Sequence, residues 1–210
     1  MAFIHRATLK PTKLELLAAW LPTRDWYAGP AGDQIRVAGY RFDDPAGEVG
    51  IETLLVRSGD GPIHQVPLTY RGAPLAGADG WLIGTSEHSA LGTRWIYDGC
   101  GDPVYAAALA SAILADTGQA EEVWEVDGAL QLRPPTMGIA SGGSRGAEVP
   151  TVAAVRQVVD GDPARVVTDA VELTVARRLG GGAALAGTVL TGTWPDQPAP
   201  HPLAAATPLP

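Results

Sequence analysis

Over the N-terminal third of this chain the apolar positions switch from a period of two to a helical period and back. From Ala2 to Leu9, Phe3, His5, Ala7 and Leu9 alternate with Ile4, Arg6 and Thr8, which predicts a strand. After Pro11-Thr12, the apolar residues Leu14, Leu17, Ala18 and Leu21 recur at helical spacing. This predicts a helix over Lys13 to Leu21, stopped by Pro22. A loop carrying the adjacent aromatics Trp26 and Tyr27 follows. Gln34 to Phe42, Val49 to Arg57 and Pro62 to Tyr70 then read as strands, separated by turn clusters at Asp43 to Gly47 and Ser58 to Gly61. A helix followed by an antiparallel meander predicts an α+β unit, the helix packed on one face of a curved sheet. Gly72 to Gly80 is rich in Gly, Ala and Pro and reads as a linker.

A second unit is expected from about Trp81. Trp81 to Thr85 and Thr93 to Asp98 read as paired strands around a polar loop, Ser86 to Gly92. Asp102-Pro103 opens a helix, because Asp caps free backbone N–H groups and Pro at the first helical position loses nothing. That helix is expected to run over Val104 to Thr117 and to end at Gly118. Strands are expected at Val123 to Val126, Ala129 to Leu132, Val152 to Val159, Ala164 to Leu179 (one bent strand) and Ala183 to Trp194. Asp127-Gly128 and Asp160 to Pro163 read as turns. Pro195 to Pro210 holds six prolines and few strongly apolar residues, which predicts a disordered tail. The expected organisation is residues 1–78, 79–194 and 195–210.

Composition narrows the function. A net charge of −8 with scattered arginines argues against nucleic-acid binding. No stretch reaches the roughly 18 apolar residues of a membrane span. The segment Met1 to Pro11 has no apolar core of a signal peptide, and Cys100 is the single cysteine. The chain therefore reads as cytoplasmic. Its last lysine is Lys13, whereas its 13 arginines run from Arg6 to Arg178.

Candidate chemistry is sparse. Ala140 to Gly146 is a glycine-rich loop that could cradle a phosphate, but it lacks a Gly-Lys-Ser/Thr ending and reads better as a surface loop. His5, His64, His88 and His201 show no metal-ligand spacing with one another or with Cys100. Glu87-His88-Ser89 offers a base beside a hydroxyl, yet neighbours in an extended loop point apart, so a polar loop is expected. Around Cys100, Asp98 and Asp102 disfavour a thiolate while a helix N-terminus favours one; the two acids read as turn and cap residues. Of six tryptophans, Trp81 and Trp95 are expected in the core. Trp26 and Tyr27 are the surface candidates, with Glu87 and His88 completing a tentative ligand or partner surface.

Two stretches carry a resemblance. Pro11-Thr12-Lys13-Leu14-Glu15-Leu16-Leu17 through Trp20-Leu21-Pro22-Thr23-Arg24-Asp25-Trp26-Tyr27, with Ile63-His64-Gln65-Val66-Pro67-Leu68-Thr69-Tyr70-Arg71, resembles the N-terminal cap of actinobacterial maltokinases. Trp95 to Pro103 is similar to the Tyr-Asp-x-x-x-Asp-Pro element that opens the kinase's next subdomain, and Val171 to Leu179 resembles the strand that carries the ATP lysine. The resemblance implies a cystatin-like cap followed by a β-rich, kinase small-lobe-like subdomain. At the lysine position stands Thr174, which offers phosphates no charge, and no large lobe follows in this sequence. The expectation is a non-catalytic accessory protein without cofactor or metal, whose partner is an enzyme of α-glucan, maltose or trehalose metabolism. The alternative is a module that binds a sugar or nucleotide.

Overall fold

The computed structural model describes residues 2–4, 8–126, 128–182 and 185–209. In chain order the elements are β1 (Ala2–Ile4), β2 (Leu9–Lys10), α1 (Lys13–Trp20), β3 (Ile35–Phe42), β4 (Gly50–Arg57), β5 (His64–Arg71), β6 (Leu82–His88) and β7 (Gly92–Asp98). They continue with α2 (Pro103–Leu114), β8 (Glu122–Val126), β9 (Ala129–Leu132), β10 (Gly138–Ser141), β11 (Val155–Val159), β12 (Ala164–Thr168), β13 (Val171–Val175), β14 (Thr188–Trp194) and β15 (Gln197–Pro208). The fold is mostly β with two helices among the described residues. His5 and Asp127, assigned above to a strand and a turn, lie outside those residues.

Thr12 sets the start of α1: its hydroxyl accepts from Glu15 N–H while the Glu15 carboxylate accepts from Thr12 N–H, a reciprocal capping box. The helix lays Leu17, Trp20 and the following Leu21 against Leu54, Val56, Val66, Leu68 and Ile96 of the sheet β2-β6-β7-β5-β4-β3. Each such fully buried leucine contributes about 1.5–3 kcal/mol. The expected helix-on-antiparallel-sheet unit is therefore present. Strand alternation carries it further: Ile51 and Leu55 of β4 point into a second core, shared with α2 and with the sheet β10-β14-β15-β13-β12-β11. This explains why β4 has six consecutive buried residues; it is covered on both faces.

Four expectations are corrected. The boundary at residue 78/79 falls inside one sheet, because β7 pairs with β5 from Leu68↔Asp98 to Arg71↔Trp95; the Gly72 to Gly80 segment is a strand connection. Trp81 ends a short 3-10 turn, Asp79–Trp81, and lies against Gly101, where a Cβ would come within 2.1 Å of its ring. The single bent strand from Ala164 is a hairpin. Thr168 makes it, donating its hydroxyl to Val171 O and accepting from Ala170 and Val171 N–H. Finally, the proline-rich tail is ordered as β15, between β14 and β13. Its prolines at 198, 200 and 202 fall in the half that pairs with β14 alone, where a missing N–H costs no second ladder. Leu203 to Ala206 form the buried half, and the small side chains of Ala204, Ala205 and Ala206 admit close packing.

Candidate functional site

Of the residues expected at a surface, Trp26 is buried, Tyr27 and His88 are half-buried and Glu87 is exposed. Trp26 is 8% exposed. Its Nε1 donates to Asp160 Oδ1 at 2.7 Å, and its ring takes the Arg177 guanidinium at 4.7 Å. It is a seam residue, not a free aromatic. Tyr27 is partly buried, its hydroxyl donating to Pro30 O and its ring 4.6 Å from His64. Glu87 and His88 lie at the β6–β7 turn. Glu87 accepts from Thr93 Oγ1, and His88 Nδ1 accepts from Ala90 and Leu91 N–H, so both organise the hairpin. Ser89 Oγ accepts from Thr8 N–H.

The glycine-rich stretch is a helix stopper. Ser141 donates to Ile113 O, Gly146 N–H to Ala115 O, and a Cβ on Gly143 would come within 2.2 Å of Ile113 O. The loop thus meets the negative end of α2, which repels a phosphate. Cys100 is fully buried, and burial pushes its thiol up, away from reactivity. Asp98 and Asp102 cap as expected, accepting from Cys100 N–H and Val104 N–H. Asp102 also takes a two-pronged grip from Arg71 at 2.7 Å on each oxygen. Among the described residues no group of three His, Cys, Asp or Glu side chains could hold a metal ion.

Two buried polar assemblies went unread in the sequence. The first is a seam between the sheets. Arg177, fully buried, donates to the equally buried Asp98 at 2.5 Å. Beside it, Gln65 Nε2 donates to Ala176 O and Leu203 O, and Gln65 N–H to Arg177 O. His64 is fully buried there and its Nε2 accepts from Ala28 N–H, a role open only to the neutral ring. Burial holds the imidazole down at about 4, against the pull of Asp162. Its folded value thus lies below the ordinary 6.5, so the unfolded chain takes the proton first as pH falls. Stability is expected to drop by about 3 kcal/mol between pH 6.5 and 4 from this residue. Urea titrations across that range check this; a His64→Asn variant with an equally steep pH dependence would refute it.

The second assembly surrounds Glu52. This carboxylate lies in the apolar run Ile51-Glu52-Thr53-Leu54-Leu55-Val56 and is 1% exposed. Lys13, the last lysine, donates to it; Tyr70 Oη donates at 2.8 Å, Arg41 Nη2 lies at 3.0 Å and Arg36 Nη2 at 3.8 Å. Burial alone would raise the Glu52 carboxyl, but Lys13, Arg41 and Arg36 reverse this and hold it well below the usual range. Gly39 makes the seat, since a Cβ there would stand 2.9 Å from Arg36 Nη2 and 2.8 Å from Thr53 O. Arg41 carries the network onward, its Nε 3.4 Å from Glu122, which Arg133 grips at 3.0 Å. Arg41, Glu122 and Arg133 line a groove of about 340 Å³ between the β3 edge and the strap formed by residues 119–122 and 132–135. That is the lower end of small-molecule pocket size, about 300–1,000 Å³. The available signal was Glu52 itself, a charge inside an apolar strand, which has to be paired to be buried.

Beyond the seam and the Glu52 centre, no helix of the described residues is long and apolar enough to cross a membrane. No curated protein matches the chain in sequence. Residues 20–102 match the family model of the maltokinase N-terminal cap domain, running from the end of α1 through β3–β7 and across residue 78 without a break. Over residues 20–102, the sheet that builds the Glu52 centre is therefore similar to the maltokinase N-terminal cap domain.

Proposed function

We propose that the protein acts by binding, without phosphoryl transfer, as an accessory or regulatory partner of a cytoplasmic enzyme of α-glucan, maltose or trehalose metabolism. The observation that carries this reading is the cap-type match over residues 20–102. Supporting it, Thr174 sits in β13 between Arg165 of β12 and Ala205 of β15; its own side chain brings no charge to a phosphate, and Arg165 is paired with Glu172. The second reading, a small-molecule binding module, is favoured by the groove that Arg41 and Arg133 line together with apolar residues such as Leu132 and Pro134. The test pairs calorimetric titration of the protein into a purified maltokinase with a maltose-dependent ATP turnover assay of the protein alone. Saturable binding without turnover is the expected result. Turnover above a protein-free control would overturn the non-catalytic reading, and absence of binding would overturn the accessory one.

A further inference from the structure

From the charge balance around Glu52 we infer that this centre and its adjoining groove form a binding site for a small oxyanion, a phosphate or carboxylate group. Four cations, Lys13, Arg36, Arg41 and Arg133, converge on two carboxylates, Glu52 and Glu122. Two cations would neutralise two carboxylates; this centre holds two positive charges in excess, and one if the exposed Glu121 at the groove's rim is counted. The excess arises in a chain of net charge −8, so it is a local arrangement and not a general basicity.

The cations are placed to be shared. Lys13, Arg36, Arg41 and Arg133 keep 25%, 28%, 15% and 29% of their side-chain surface exposed, whereas Glu52 keeps 2%. Solvent therefore meets the positive groups and not the acid beneath them. The buried Nε atoms of Arg36 and Arg41 have no hydrogen-bond acceptor, although Arg41 Nε has Glu122 at ion-pair distance. Guanidinium forks held in place in this way suit the planar or tetrahedral oxygens of carboxylate and phosphate. Gly39 and the Arg133 contact with the Trp124 ring at 5.8 Å fix two of those forks before any ligand arrives.

The site is independent of the accessory reading, and its test separates the two. The full chain is titrated with sodium phosphate, citrate or glucose in calorimetry and thermal melts, at ionic strength held constant with sodium chloride. A saturable rise in melting temperature with phosphate or citrate, absent with glucose and chloride, is expected. Phosphate alone would identify a phosphate group as the ligand feature, and citrate alone a carboxylate. Arg36 makes no hydrogen bond to Glu52 at 3.8 Å, so Arg36→Gln should keep the fold. Combined with Arg133→Gln, it should weaken binding at least about tenfold, while Arg36→Lys retains most of it. Equal melting temperatures in phosphate, citrate and chloride, a response to glucose alone, or undiminished binding by the double variant would each overturn the proposal.

Discussion

Replacing Arg177 by methionine is expected to lower the unfolding free energy by about 3–5 kcal/mol. The substitution leaves Asp98 fully buried with its cation gone, and the desolvation penalty of an unpaired buried charge exceeds what the methionine regains in packing. It also removes the cation over the Trp26 ring. The double variant Asp98→Asn, Arg177→Met is expected to be more stable than Arg177→Met alone, since most of the cost belongs to the orphaned carboxylate. Urea unfolding followed by tryptophan fluorescence measures both. A loss below about 1 kcal/mol for Arg177→Met would mean that the seam is carried by the surrounding apolar contacts alone.

Glu52→Gln is the second large effect, again about 3–5 kcal/mol, with the opposite sign of charge left behind. Here Lys13, Arg36 and Arg41 lose the group that offsets their mutual repulsion. The pH dependence follows from the depressed carboxyl. Its folded value lies below the ordinary 4.5, so its contribution is complete above pH 4.5 and disappears as pH falls below it. The Glu52→Gln protein should therefore show a flatter acid limb below pH 4.5 than the parent, from a lower plateau. An unchanged acid limb with an unchanged plateau would show that the centre contributes nothing net.

The sequence was most legible where local chemistry and periodicity agree. Thr12 with Glu15, the apolar stripe through Leu17 and Leu21, and the turn clusters at Asp43 and Ser58 located α1 and β3–β5 within two residues. Asp98 and Asp102 were readable as caps because an Asp before a turn or Pro acts locally. What could not be read was set by distance along the chain. Trp26 meets Asp160 across 134 residues, Gln65 meets Leu203 across 138, and Asp98 meets Arg177 across 79. No short window contains those pairs. Trp26 looked like a loop aromatic because its partners lay elsewhere. The tail misled for a different reason: composition counts prolines, whereas a strand tolerates them wherever one of its edges has no neighbour.

That last strand has a consequence for biosynthesis. β15 does not add to an edge of its sheet; it inserts between β14 and β13, and β13 finds its second neighbour only there. During synthesis the α1-backed sheet can assemble from residues 9–98 while everything after it is still being made. The second sheet cannot close until residues 197–208 have emerged, and until then β13 and β14 face each other across an empty strand position. The nascent chain thus passes through a stage with two open sheet edges, the arrangement most exposed to intermolecular pairing. A chain stalled before residues 197–208 have emerged is therefore expected to aggregate, although every residue of the Glu52 centre has already been made.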